Sequence, residues 1–240
     1  MSEDLEREQT EISCMVEGFL GHLSRKYGFN FSIVNMLELG QKLNKENTWV
    51  FSVLSGAEME HFYNLRIPKN RLQWVAGRYA AKSALFKYKF RSRNIMDLKC
   101  IDVLKGENSA PFILQYPDVK VSITHSFPFC IGIVSERKTG IDIEKVDEYP
   151  YSLIKHFFCE DEKRVINKKT DHYSQLEQSM IFWTRKEAVS KLLGLGMKMN
   201  FSDIDTSRDQ LWLGYPFDKS IILSSCLCKN FCLSLAQEQK

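Results

Sequence analysis

The chain has 240 residues, 44% apolar and 12% aromatic, with 33 Lys and Arg against 30 Asp and Glu for a formal charge of +3. That is enough apolar matter for one large domain or two small ones, and too even a charge to argue for a nucleic-acid partner, although Lys and Arg concentrate between Arg66 and Arg93 in a way that suits a small polyanion. The start, Met1-Ser2-Glu3-Asp4, lacks the basic residues and apolar run of a secretory signal, no stretch reaches the roughly 18 to 20 apolar residues that cross a bilayer, and seven scattered cysteines read as reduced thiols, so a cytoplasmic protein without membrane contact is expected.

In chain order, Ile12, Met15, Val16, Phe19 and Leu23 predict an amphipathic helix over 12–27. The apolar run from Trp49 to Leu54 reads as a buried strand, and Ser55 and Glu58 at capping-box spacing then open a helix that ends by Pro68. A second helix is expected over 71–88, with Leu72, Val75, Tyr79 and the Ala80/Ala84 side inward and basic residues on the rest. Residues 101–115 are strand-like around a Gly106-Glu107-Asn108-Ser109 loop. Paired strands follow over 119–124 and 129–135, and another over 141–146. Helices are expected over 151–158, 161–168 and 172–193, the last stopped by Gly194, and a hairpin of 220–228 with 231–236 closes the chain.

Helices and strands thus come in two groups on either side of about Ser135. This predicts an α+β chain, a pseudo-dimer of two similar α/β halves, each a small antiparallel sheet packed against a long helix. Residues 1–45 stand as an extension without assigned chemistry, 46–135 as the N-terminal half and 136–240 as the C-terminal half.

In Gly140-Ile141-Asp142-Ile143-Glu144 the isoleucines alternate with the carboxylates, so on a strand Asp142 and Glu144 share one face. Two like charges there are either a solvated strand face or a site for a cation, and oxygen-only ligands suit Mg²⁺. On the long helix Trp183, Glu187 and Lys191 fall on one stripe, where Glu187 and Lys191 by themselves make an ordinary surface ion pair. Cys226, Cys228 and Cys232 resemble three zinc ligands without a fourth, or small apolar residues of a hairpin.

Taken together, the Gly-Ile-Asp-Ile-Glu strand and the Trp183-Thr184-Arg185-Lys186-Glu187-Ala188-Val189-Ser190-Lys191 helix resemble the two signature motifs of the 4′-phosphopantetheinyl transferases. Phe157-Phe158-Cys159-Glu160-Asp161-Glu162 is similar to the aromatic pair and helix-opening Glu between them in that family, Ser122-Ile123-Thr124-His125-Ser126 to its Ile-Ser-His-Ser strand end, and Gly77-Arg78 with Lys82 to its first-half helix. The matches run in the family's order over about 49–201. The length resembles the surfactin-synthetase-activating type, a single chain expected to act as a monomer.

The resemblance implies an enzyme that transfers 4′-phosphopantetheine from coenzyme A to a serine of an acyl or peptidyl carrier protein, releasing adenosine 3′,5′-bisphosphate. It implies Asp142, Glu144 and Glu187 as Mg²⁺ ligands, Glu187 also as the route for the serine proton, Lys191 as a neutralising cation, and Glu162 as a second candidate metal ligand or base. Coenzyme A would meet Lys69, Lys105, Thr124 and His125, with Arg78 either a further contact or a tie between elements. An acidic carrier helix would meet a basic rim near Arg185 and Lys198. One departure is Ser109-Ala110-Pro111 where the family has Gly-Lys-Pro, with Lys105 on the same loop as the substitute cation. The rival reading is a magnesium-dependent phosphohydrolase of a nucleotide diphosphate; a binding module without turnover is the third.

Overall fold

The computed structural model describes residues 3–89, 95–146 and 151–239. In chain order its elements are α1 (Glu3–Tyr27), β1 (Asn30–Asn35), α2 (Met36–Lys45), α3 (Val50–Val53), α4 (Gly56–Asn64), α5 (Pro68–Lys89), β2 (Val103–Lys105), β3 (Pro111–Ile113), β4 (Lys120–Ser126), β5 (Phe129–Ser135), β6 (Thr139–Lys145), α6 (Tyr151–Phe157), α7 (Glu160–Asn167), α8 (His172–Leu193), β7 (Gln210–Leu213), β8 (Lys219–Cys228) and β9 (Phe231–Glu238). This is an α+β fold with three sheets, ordered β1-β5-β4, β2-β3 and β6-β9-β8-β7, and the pairings are antiparallel. Two units divide the chain: Leu20–Arg137, the amino unit, and Met1–Phe19 with Lys138–Lys240, the carboxy unit. None of the described helices is long and apolar enough to cross a membrane.

In the amino unit α5 lies directly on β5. A Cβ at Gly132 would sit 2.6 Å from the Ala80 and Ala81 backbone, so glycine opposite an alanine-rich turn is what allows the contact. The capping box forms as the sequence predicts: Glu58 Oε2 accepts from Ser55 N–H at 2.9 Å. Glu58 is also buried and pairs with Lys82, whose ammonium donates to Val53 O at 2.7 Å, while Glu58 Oε1 accepts from Val103 N–H at 2.8 Å. The buried carboxylate therefore has partners on every side, the condition under which such a group is tolerable.

The carboxy unit repeats this device. Glu162 Oε2 accepts from Cys159 N–H at 3.0 Å and meets Lys186 Nζ at 2.8 Å, and Glu162 Oε1 accepts from Thr206 N–H at 2.8 Å. Lys186 also donates to Phe201 O at 2.7 Å, tying α7, α8 and the segment before β7 together. The C-terminus of α8 is closed by Gly194 at φ 68°, the left-handed conformation that glycine adopts without cost.

Several expectations are corrected. The run 49–54 is helical rather than a strand: Val50, Val53 and Leu54 are buried while Phe51 is 51% exposed, a helical spacing that a six-residue apolar run hides from periodicity. The loop after α4 does end at Pro68, but α5 begins at Pro68 itself rather than at about Arg71, because the missing N–H of a proline costs nothing at a helix start. On α1 it is Leu20, not Met15, that joins Ile12, Val16 and Leu23 in burial. On α5 the basic residues do not all face water, since Arg78 and Lys82 are buried. β1, α2 and β7 lay in stretches assigned no element.

Candidate active site

In the carboxy unit β6 and α8 approach as closely as backbones allow. A Cβ at Gly140 would fall 1.9 Å from Ala188 O, so no other residue fits there without moving the helix. Two residues along, Asp142 points to the α8 side, being 3% exposed and 2.6 Å through Oδ1 from Lys191 Nζ. The helix is fixed on the sheet by Thr184 and Ser234, whose hydroxyls are 2.7 Å apart, and by Arg185, which donates to Ser225 Oγ at 2.9 Å and Thr206 O at 2.8 Å and pairs with Asp209 at 2.6 Å.

One turn before Lys191, Glu187 is partly buried and its carboxyl is pushed above the usual range, first by burial and then by the Asp142 charge, against the pull of Lys191. Asp142 and Glu187 therefore share one field. Glu144, half-buried, stands two residues along β6 in register with Cys232. Asp142, Glu144 and Glu187 offer only oxygen donors, and the Asp142 charge already raises Glu187, a chemistry that fits a hard divalent cation. Among the described residues these three are not the set whose ligand atoms close to within 4.8 Å of one another; that set is Cys159, Glu162 and Asp205. There, however, Glu162 is already saturated by Lys186, Thr206 and the Cys159 amide, which makes it a structural carboxylate.

Two further readings change. Arg185, placed by the sequence at a basic rim, is 8% exposed and spent on β8 and the segment before β7, because its donors satisfy carbonyls that would otherwise be orphaned. Lys198 is exposed. The cysteines of the terminal hairpin do not converge on one point: Cys226 and Cys228 sulfurs lie 3.3 Å apart, while Cys232 meets Thr184 Oγ1 at 3.3 Å. No disulfide joins the described cysteines.

In the amino unit a cavity of about 360 Å³ brings together Arg78, Lys105 and His125. Lys69, exposed at the start of α5, and Thr124, buried on β4, are not in its lining. Arg78 is 7% exposed, its guanidinium lies 4.2 Å from the Trp74 ring, and its Nε has no hydrogen-bond partner; burial lowers its pKa to about 10. His61 and Trp74, which the sequence reading did not single out, also line it. Their signal was faint, a His in the last turn of α4 and a Trp one turn before Arg78.

Residues 138–233 match the 4′-phosphopantetheinyl transferase superfamily. The chain is 29% identical over 106 residues to the 4′-phosphopantetheinyl transferase gsp of Aneurinibacillus migulanus, which covers 44% of each protein. It is also 29% identical over 121 residues to a holo-[acyl-carrier-protein] synthase of Exiguobacterium sibiricum, covering 49% of this chain and 93% of that one. Among solved structures it resembles a holo-(acyl-carrier-protein) synthase of Bacillus anthracis, with 23% identity, a TM-score of 0.37, and coverage of 44% of this chain and 91% of the other. The chain thus spans less than half the length of the first curated relatives it matches. The resemblance carried by the strand and helix motifs is borne out, and it is over residues 138–233 that this chain matches the 4′-phosphopantetheinyl transferases.

Proposed function

We propose that the protein transfers 4′-phosphopantetheine from coenzyme A to a carrier-protein serine. The observation that carries this reading is the Asp142, Glu187 and Lys191 arrangement, a buried and a partly buried acid in one field with a cation 2.6 Å from the first. It lies inside the segment that matches the superfamily.

Asp142, Glu144 and Glu187 would hold Mg²⁺, which when bound polarises a diphosphate and stabilises the charge of the leaving group. The chain's own residues supply the rest. Glu187, with its raised pKa, is suited to accept the proton of the attacking serine hydroxyl, directly or through a water. As the serine oxygen bonds to the phosphorus nearer pantetheine, the bridging P–O bond breaks and its electron pair leaves with adenosine 3′,5′-bisphosphate. Lys191 is placed to neutralise negative charge on the diphosphate. In the amino unit, Arg78, Lys105 and His125 are assigned to coenzyme A phosphates, with Lys69 and Thr124 as outlying contacts. With Arg185 withdrawn, Lys198 and the exposed Met197 remain the rim offered to an acidic carrier helix.

We further read the chain as a duplicated half that acts as a monomer in a reducing, cytoplasmic setting, where seven thiols persist. The support is residue-level: a capping-box Glu pairs with a Lys 24 residues on in both units, Glu58 with Lys82 and Glu162 with Lys186. Each Glu also accepts from a backbone N–H further along, at Val103 and at Thr206. By that equivalence Ser83 stands where the carboxy unit has Glu187, so one half alone carries the acid.

Mass spectrometry of apo acyl and peptidyl carrier proteins incubated with this chain, Mg²⁺ and coenzyme A tests the reading. A gain of one phosphopantetheine on serine supports it. Release of adenosine 3′,5′-bisphosphate at the same rate without any carrier protein overturns it in favour of a phosphohydrolase.

A further inference from the structure

We propose that Thr184 is a positioning residue of the candidate active site, its buried hydroxyl setting where Glu187 stands relative to Asp142 and Glu144. The inference rests on the transferase reading for the use made of the three acids, and on hydrogen-bond geometry for the placement itself.

Sheet register puts two short rows of side chains under α8. Asp142 of β6 is paired with Ser234 of β9, and Ser234 with Ser225 of β8; the neighbouring row runs from Glu144 through Cys232 to Leu227. Paired residues face the same side of a sheet, so the β9 side chains beside the two acids are Ser234 and Cys232. Both are wholly buried, and Thr184 Oγ1 meets both, Ser234 Oγ at 2.7 Å and Cys232 Sγ at 3.3 Å. Glu187 follows Thr184 by less than one turn of the same helix. One hydroxyl therefore ties the turn that carries Glu187 to the strand flanking Asp142 and Glu144.

The proton count gives this tie a direction. Met180 O can only accept, and Thr184 Oγ1 donates to it at 2.9 Å, with Ile181 O at 3.2 Å sharing the proton. The single Thr184 proton is thereby used, so across the 2.7 Å contact Ser234 is the donor, and across the 2.9 Å contact beyond it Ser225 donates to Ser234. Arg185, which can only donate, closes the far end through Nε to Ser225 Oγ at 2.9 Å. The Cys232 thiol meets the remaining lone pair of Thr184. Every member of the row is satisfied in one sense only, the condition under which a buried polar network specifies a unique arrangement. Apolar packing is non-directional and would let α8 slide along the sheet. Gly140 lets the helix close on β6, and the hydroxyl row decides where along the strands it stops.

The test is binding of Mn²⁺ to the whole protein, with and without saturating coenzyme A. Mn²⁺ shares the oxygen preference of Mg²⁺, and its free form gives a paramagnetic resonance signal that is lost on binding. Loss of binding in Asp142→Asn identifies the site. Thr184→Val keeps the side chain's shape without its hydroxyl and is expected to weaken Mn²⁺ about tenfold, as loss of a group that supports metal ligands does. Thr184→Ser, which keeps the hydroxyl, is expected to bind as wild type does. Valine also leaves the Ser234 proton buried without its acceptor and so lowers stability. Thr184→Val combined with Ser234→Ala removes that orphan, and is expected to regain stability in urea without regaining Mn²⁺ affinity. Wild-type affinity in Thr184→Val, or affinity that returns together with stability in the double variant, makes the row structural only and overturns the proposal while leaving the transferase reading intact. Absence of Asp142-dependent Mn²⁺ binding in wild type under both conditions overturns both.

Discussion

Lys186 Nζ lies 2.8 Å from Glu162 Oε2 with both side chains wholly buried, while the next residue, Glu187, turns toward Asp142 and stays partly open. Two neighbours in one motif thus do opposite work. Lys186 is locked into the fold, and Glu187 is held at an electrostatic disadvantage that a cation or a proton relieves.

Lys186→Met is expected to cost about 3 to 5 kcal/mol, because it leaves the Glu162 charge buried without its partner. Urea unfolding measures it. Adding Glu162→Gln should recover part of the loss, whereas an unchanged midpoint in the single variant would remove the pair from the list of things that hold α7 against α8.

Gly140→Ala should lower stability by about 1 to 3 kcal/mol, since its Cβ would stand 1.9 Å from Ala188 O and force β6 from α8. The same displacement separates Asp142 from Glu187 and Lys191. Transfer is expected to drop by about 10²-fold per folded molecule, as misplacement by about 1 Å can do. Steady-state assay beside chemical unfolding checks both.

Glu187→Gln is expected to slow transfer by at least about 10²-fold, the usual worth of a general base, with coenzyme A affinity nearly unchanged by calorimetry. Its effect on stability has the opposite sign. The folded carboxyl titrates above its ordinary 4.5, so the folded protein binds the proton more tightly than the unfolded chain. Without divalent cation, wild-type stability should therefore fall as pH rises from 4.5 through the raised value, and the glutamine variant should lack that fall and melt higher at pH 7. Normal turnover in this variant would return Glu187 to an ordinary ion pair.

Lys105→Ala should raise the Michaelis constant for coenzyme A more than it lowers the maximal rate, since a cation on a remote phosphate binds ground and transition states alike. An unmoved constant would show that Lys105 does not stand in for the lysine missing from Ser109-Ala110-Pro111.

The sequence by itself determined the elements whose signals are local. The capping box at Ser55, the Gly194 stop, the terminal hairpin and the alternation that puts Asp142 and Glu144 on one face each depend on residues a few positions apart. It also ordered the motifs along the chain over about 49–201, and it is over 138–233 that the chain then matches the superfamily. Only the tertiary structure decided which charges are scaffold. Lys82, Lys186 and Arg185 look in sequence like any solvated lysine or arginine, and their burial depends on Glu58, Glu162 and the Thr206 and Arg208 carbonyls, which long-range packing delivers. The cavity wall is the same case: His61 and Trp74 are 13 residues apart on two helices, and no periodicity marks them. Bringing them to one cavity with Arg78 and His125 takes α4, α5, the β2-β3 hairpin and β4 together, because a binding site is a property of surfaces that meet rather than of any one segment.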